Sequence, residues 1–135
     1  MKTFIESQGE MTLLIEETRL TCFEFHYPIT HPVNFADTIT LPELKTLAAM
    51  KAFALGFRPK WKDYLDLYFL FKKFSLAEVV KTAETIFGGE FNHKLFREQL
   101  AYHQDISYQD EAIMMPGFEV EREIVLEKLI DISLS

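Results

Sequence analysis

Three charged residues stand where a helical pattern calls for apolar side chains. Lys51 lies four residues before Leu55, in the middle of an apolar helical stripe. Asp66 lies inside YLDLYFLF, residues 64–71, the most apolar stretch of the chain, and Asp63 precedes it by three positions. A charge in such a place is costly unless it is paired or hydrogen-bonded. These positions therefore predict a charged site built on two consecutive helices.

Each of these positions has a structural and a functional interpretation. Lys51 either covers apolar surface with its stem and reaches solvent with its amine, or grips phosphate as a point charge. Asp66 either forms a structural ion pair with Lys51, Arg58 or Lys62, or organises a charged site. Asp63, in the first helical turn, complements the helix dipole. Since mutual contact offsets desolvation, we expect Lys51 and Asp66 to lie together in the interior.

Strands are predicted only in the first part of the chain. β-branched and aromatic residues predict a hairpin of residues 11–16 and Arg19–Phe25, with Cys22 as a small buried apolar group. A loop with two prolines follows, and its end, residues 37–40, is predicted as a short extra strand. A hairpin that lacks neighbouring strands has open edges, so we expect a homo-oligomer that covers its edge.

Helices fill the rest of the sequence. Capping boxes at residues 40–43 and 75–78, a Gly-Gly stop at 88–89 and a cap at Asn92 mark their ends. The helices are predicted at about 41–55, 60–73, 75–87, 92–102 and from 119 onward. The predicted fold class is therefore α+β, with short antiparallel strands followed by about five helices. We expect a single domain, 1–135, in which residues 11–40 form the hairpin and loop and residues 41–135 form the helical part. The first two helices should pack on each other and on the sheet, with Leu47, Leu55, Leu67 and Leu70 in the core.

Composition excludes several classes of protein. The chain carries 21 acidic and 14 basic residues, a formal charge of −7, which argues against binding nucleic acid by general electrostatics. Its one cysteine forbids an internal disulfide and favours a reducing compartment. There is no run of about 18 apolar residues and no apolar leader, so we expect a cytoplasmic protein without a membrane span. Phosphate-loop, nucleophile-elbow and dinucleotide motifs are absent from the sequence.

Two segments carry a resemblance to a known family. Residues 44–55 contain Ala-Met-Lys on a helix, and residues 62–70 contain Lys-Asp-x-x-Asp followed by an apolar run. This pair resembles the corresponding helices of AbiEii-type nucleotidyltransferases. The likeness continues upstream in Phe25-His26-Tyr27-Pro28 and downstream in residues 100–105, and it covers about residues 11–130.

The resemblance implies the C-terminal part of a polymerase-β-like nucleotidyltransferase fold. Members are typically toxins or phage-defence proteins encoded beside an antitoxin, and they transfer a nucleotide from a nucleoside triphosphate to an acceptor such as tRNA, with Mg²⁺. Carried over by position, Lys51, Arg58 and Lys62 would contact the nucleotide. Asp63 and Asp66 would join Lys51 in the catalytic group.

The family's Gly-Ser loop and Asp-x-Asp pair have no counterpart in residues 1–18. Glu24 or a neighbour would lie near the third metal carboxylate. We therefore expect a truncated family member that is inactive alone and binds triphosphate weakly. An antitoxin or a separately encoded N-terminal half would be its partner. The alternative is a non-catalytic interaction module.

Overall fold

The computed structural model describes residues 2–135, with side chains from Ser7 onward. The described chain is α+β, with five strands followed by five α-helices. The strands are β1 (Lys2–Ser7), β2 (Glu10–Ile15), β3 (Thr18–Phe23), β4 (Val33–Phe35) and β5 (Ile39–Leu41). The helices are α1 (Leu44–Leu55), α2 (Trp61–Leu70), α3 (Leu76–Phe87), α4 (His93–Ala101) and α5 (Arg122–Ser133), with a 3₁₀ turn at Gly88–Glu90.

The first three strands form an antiparallel meander in the order β1-β2-β3. Thr12 lies opposite Thr21, and their hydroxyls are 3.0 Å apart. The hairpin of β2 and β3 confirms the sequence prediction, whereas β1 was not predicted. Since β1 and β3 flank β2, these two strands form the edges of the sheet.

The predicted extra strand is β5, and it pairs with a strand that the sequence analysis missed. β4 and β5 form a separate two-stranded hairpin in which Val33 lies opposite Leu41 and Phe35 opposite Ile39. Three residues, 36–38, connect the two strands in a tight turn. The strands are short because a proline precedes β4 and another follows β5.

Side-chain caps mark the start of two helices, α3 and α4. At α3, the Ser75 hydroxyl accepts from the Glu78 amide at 3.2 Å and the Glu78 carboxylate accepts from the Ser75 amide at 2.8 Å. Asn92 caps α4 through the amides of its second and third residues. The capping box predicted at Thr40 is wrong, because Thr40 belongs to β5 and α1 begins after Glu43 without a side-chain cap.

The core lies among the helices. α1 packs against α2 and α3, and α4 packs against α5. Leu55, Leu67 and Leu70 are buried as predicted, but Leu47 is only partly buried. Small side chains at Ala48, Ala49 and Ala52, all buried, let the backbone of α1 approach its neighbours closely.

The prediction that the sheet packs on these helices is wrong. Every residue of β3 is exposed, including Cys22, which was predicted to be buried. From Ser7 to His26, no described side chain belongs to the core or to the partly buried apolar residues that pack against it. Apolar and polar side chains alternate along the β2–β3 hairpin as predicted, but its apolar side does not face α1 or α2. Alternation shows that a strand has an apolar side, but not which element that side packs against.

An aromatic cluster joins the segment after β3 to the helices. The Tyr27 ring lies 5.3 Å from Phe53 of α1 and 4.7 Å from Phe87 of α3, and those two rings stack at 3.9 Å. Phe25 contacts Phe87 edge-on at 6.2 Å. The strands are thus tied to the helical part through a few aromatic side chains rather than through a sheet face.

In the described part of the chain, no helix combines the length and the apolar character needed to cross a membrane. The longest helices have 12 residues, whereas a spanning helix needs about 20.

The capping box of α3 should contribute measurably to stability. Ser75→Ala removes the acceptor for one amide and disrupts the reciprocal bond, so we expect a loss of about 1 kcal/mol in the free energy of unfolding by urea. Thr85→Ala is the matched control on the same helix. The Thr85 hydroxyl donates to the Lys81 carbonyl at 2.9 Å, which is already used by the helix, so its removal should leave stability unchanged or slightly higher. Equal losses from both variants would contradict this role for the box.

Candidate functional site

The predicted charged residues meet where α1 crosses α2. Lys51 extends from α1 between the buried Ala48 and Ala52, and its Nζ lies 2.9 Å from Asp63 Oδ1 and 2.8 Å from Asp66 Oδ2. Asp63 and Asp66 are three residues apart on α2, so both carboxylates reach the same side of the helix. The predicted contact between Lys51 and Asp66 is confirmed. Lys51 therefore connects the two helices through a pair of carboxylates.

Burial divides the two carboxylates in the opposite way to the sequence prediction. The Asp63 side chain is 3% exposed and the Asp66 side chain is 50% exposed. Asp63 shares a face of α2 with the buried Leu67 and Leu70, at i+4 and i+7. Asp66 instead lies four residues after Lys62 on the exposed face. The i, i+4 spacing of Asp66 with Lys62 indicates that Asp66 lies on the exposed face of α2. The apolar neighbours of Asp66 in the sequence made this signal easy to miss.

Asp63 is the carboxylate whose burial has to be compensated. Its Oδ1 accepts a hydrogen bond from Lys51, and it also benefits from the N-terminal end of α2. Its Oδ2 is buried with no hydrogen-bond donor among the described residues, although Arg58 Nε lies 3.7 Å away. Arg58 thus contributes charge to Asp63 without a direct hydrogen bond.

Lys51 remains protonated because its partners outweigh its burial. Burial alone lowers the pKa of an ammonium group, but contacts with Asp66 and then with Asp63 raise it, and the pKa of Lys51 lies above its ordinary value. Lys51, Arg58, Asp63 and Asp66 together carry no net charge. The group can hold one more anion only where Lys51 or Arg58 still faces solvent.

Lys62 and Glu24 do not belong to this group. Lys62 is exposed on α2 and enters no ion pair among the side chains described. Glu24 lies beyond β3, with its carboxylate 3.6 Å from His26 Nε2. The sequence analysis assigned Lys62 to the nucleotide and Glu24 to the metal side, and the fold provides neither of them with a contact to Lys51.

The residues present do not fit a resident Mg²⁺. In the described ranges, no group of three or more His, Cys, Asp or Glu side chains is arranged to hold a metal ion. Asp63 and Asp66 already bind the Lys51 ammonium, and Mg²⁺ requires near-octahedral oxygen coordination. A cation at this point would have to displace Lys51.

Tyr64 is a feature that the sequence analysis overlooked. Its side chain is fully buried next to Asp63, and its hydroxyl has no hydrogen-bond partner among the described residues. Its ring meets the His103 ring edge-on at 6.0 Å. Burial, followed by the nearby Asp105 carboxylate, raises the pKa of Tyr64 well above its ordinary value. A tyrosine in an apolar run gives no sequence signal for an unpaired hydroxyl.

Removing Lys51 should destabilise the fold because it leaves Asp63 buried without a partner. We expect Lys51→Met to lower the free energy of unfolding by about 3 kcal/mol. The double variant Lys51→Met/Asp63→Leu should recover much of that loss. Lys62→Met, at an exposed lysine on α2, is the control and should change stability by less than about 0.5 kcal/mol. Urea unfolding at pH 7 measures the stability of all three variants. If Lys51→Met leaves the free energy of unfolding unchanged, Lys51 only covers apolar surface with its stem.

The buried Tyr64 predicts a loss of stability at alkaline pH. A group whose pKa is raised by folding contributes stability below its unfolded pKa, and that contribution declines as pH rises. The unfolded value for tyrosine is 10.0, so the free energy of unfolding should fall above about pH 10. Tyr64→Phe should reduce this decline, whereas Tyr102→Phe, at an exposed tyrosine, should not. Parallel pH profiles for the wild type and Tyr64→Phe between pH 8 and 11 would contradict the prediction.

Comparison with known proteins finds a distant relative but no matching family. The uncharacterized protein aq_aa25 of Aquifex aeolicus (strain VF5) is 26% identical over 128 residues, which cover 92% of this chain and 62% of the relative. The chain therefore spans less than two thirds of that relative's length. No family model matches the chain. No solved structure matches it significantly.

Proposed function

We propose that this chain is an AbiEii-like nucleotidyltransferase-family protein whose described residues supply the nucleotide side of the site. The observation that carries the proposal is the Lys51 ammonium held at 2.9 and 2.8 Å by Asp63 and Asp66. A lysine fixed between two helices, with 24% of its side chain exposed, presents a positive charge at a defined place. The Ala-Met-Lys and Lys-Asp-x-x-Asp segments that the resemblance rests on are the two segments joined here.

Each residue has a separate role in this proposal. Lys51 contacts a phosphate of the nucleoside triphosphate, and Arg58, which is 54% exposed, contacts a second one. Asp63 is a positioning residue, because its buried carboxylate fixes the Lys51 ammonium and attracts the Arg58 guanidinium. Asp66 competes with phosphate for Lys51, which makes binding weak.

Among the described residues, no group of three or more His, Cys, Asp or Glu side chains could hold a metal ion, and Asp63 and Asp66 are occupied by Lys51. We therefore do not expect nucleotide transfer by these residues alone. The resemblance implies a partner that supplies the Asp-x-Asp pair, together with an antitoxin, in the cytoplasm. Mg²⁺ would then arrive with the triphosphate and that partner.

Asp66→Asn tests this proposal because the expected change in triphosphate affinity is an increase. It removes a half-exposed negative charge that faces Lys51, so triphosphate affinity should rise about fivefold, the equivalent of the ~1 kcal/mol between unit charges ~4 Å apart in water. NMR titration with Mg²⁺ and each of ATP, GTP, CTP and UTP measures it, and the wild type should bind at millimolar concentration. The shifted resonances should belong to residues 51–66.

Lys62→Asn is the matched control. It removes a neighbouring exposed charge on the same helix, so affinity should fall slightly or stay constant. If neither the wild type nor Asp66→Asn binds any triphosphate at 10 mM, about ten times the millimolar affinity expected for so few phosphate contacts, the likeness describes ancestry rather than activity.

A non-catalytic interaction module is the second candidate. A specific observation favours it, since the strands do not pack on the helical core and expose large apolar side chains, among them Phe23, Phe35 and Ile39. Exposed apolar surface of this kind is typical of protein contacts. The two candidates use different residues, so both functions can coexist in one chain.

A further inference from the structure

The β4–β5 hairpin has one wholly apolar face, which we name the apolar hairpin face. It consists of Val33, Phe35, Ile39 and Leu41, which lie directly opposite one another in two pairs. Asn34 and Thr40 occupy the other face. The four apolar side chains are between 36% and 57% exposed. An alternation this strict predicts a strand pair with one buried side, yet the chain itself does not bury it.

The hairpin requires something to cover that face. Two strands of three residues each make few hydrogen bonds, and an isolated two-stranded hairpin is marginal in water. Its turn contains Ala36 and Asp37 at φ of 50° and 54°, a conformation that residues other than glycine adopt at a cost. Among the described residues, the hairpin therefore has little that stabilises it beyond its own few hydrogen bonds.

The three-stranded sheet leaves a second apolar face open, which we name the apolar sheet face. The register places Met11 opposite Cys22 and Leu13 opposite Leu20, with Ile15 in line with Met11 and Leu13. Ile15 and Leu20 are 43% and 45% exposed. No helix covers this side, since the described sheet residues do not belong to the core.

Area decides how these faces can be covered. Each of the four side chains exposes about half of its surface. With roughly 150 Å² per side chain, the lower end of the aromatic range, about 300 Å² stays open on the hairpin and a similar area on the sheet face. The two faces together expose roughly 600 Å² of apolar surface, and about 57% of the area of an interface is apolar. They therefore correspond to an interface of roughly 1,000 Å² on each copy, above the ~800 Å² per partner of a stable interface. Either face alone corresponds to about 500 Å² and is too small.

We infer that the apolar hairpin face and the apolar sheet face together form the interface of a two-fold homodimer. Each copy carries both faces, so a two-fold arrangement covers four apolar faces with one contact. The inference is independent of the nucleotide site, because no residue of these faces contacts Lys51, Asp63 or Asp66. It names a contact surface for the homo-oligomer that the open strands predict.

Charge gives this dimer a characteristic salt dependence. Each chain carries a formal charge of −7, so two copies repel each other at low ionic strength. An apolar contact between like-charged chains should tighten as salt screens that repulsion. A contact with a basic partner would weaken with salt instead.

Sedimentation of the whole chain tests the inference. The wild type should be dimeric at about 20 μM, as expected for a dissociation constant of about 1 μM, and that constant should decrease as NaCl is raised from 50 to 500 mM. Ile39→Lys on the hairpin face and Leu20→Lys on the sheet face should each raise the dissociation constant at least tenfold. Ile113→Lys, at a residue that is 88% exposed outside both faces, should leave it unchanged. Far-ultraviolet circular dichroism should show intact helices in every variant, because these residues lie outside the core.

Cys22 reports whether the two faces share one interface. It is exposed in the single chain and lies on the sheet face, so the dimer should slow its reaction with a thiol reagent. Ile39→Lys, a change on the hairpin, should restore the fast reaction at Cys22. A wild-type monomer at 20 μM, a dimer that both lysine variants leave intact, or a Cys22 rate that does not depend on protein concentration would overturn the inference. Open-ended aggregation in place of a dimer would also overturn it.

Discussion

The burial of the Asp63 carboxylate is the constraint on which the helical part of this protein depends. A carboxylate with 3% of its side chain exposed requires a cation, and Lys51 supplies it from the neighbouring helix. This requirement fixes the rotation of α1 and α2 about their own axes, because any other rotation would leave Asp63 among apolar side chains. The small residues of α1 meet the second condition, close approach of the helices. Packing and ion pairing therefore specify the same arrangement.

The same contact limits what the site can do. Two carboxylates around one lysine favour a fixed position for the ammonium over a high affinity for anions. Arg58 restores neutrality but lies 3.7 Å from Asp63 and is half exposed, so it is free to turn toward a ligand. A group of this kind suits a weak phosphate contact that a partner's residues complete. It equally suits a purely structural connection, and the triphosphate affinity of Asp66→Asn separates the two.

The chain places its apolar residues in two distinct settings. Helical apolar residues form a core, and the strands expose theirs on two faces that the chain leaves open. Among the described residues, aromatic contacts of Tyr27 and its hydrogen bond to Glu90 connect the two parts. The helical part has a core of its own, whereas the strands leave their apolar faces open, and the inferred dimer would cover them. The nucleotide proposal rests on the first part and the dimer on the second.

The sequence by itself determined the fold class and the capped starts of α3 and α4. Ser75, Glu78 and Asn92 act through hydrogen bonds within three residues, so their effect can be read locally. The β2–β3 hairpin follows from alternation, which is also local. The meeting of Lys51 with Asp66 was predicted from the cost of isolated buried charges, although the carboxylate that is buried is Asp63.

Only the tertiary structure decided which carboxylate is buried and where the strands face. Asp63 and Asp66 differ by three positions on one helix, and the rotation of α2 against α1 decides which of them lies inside. Cys22 and its neighbours have a strand pattern that predicts one covered side, but that pattern does not say whether the cover belongs to the same chain. Both choices depend on contacts between residues far apart in the sequence, and local propensities carry no record of them.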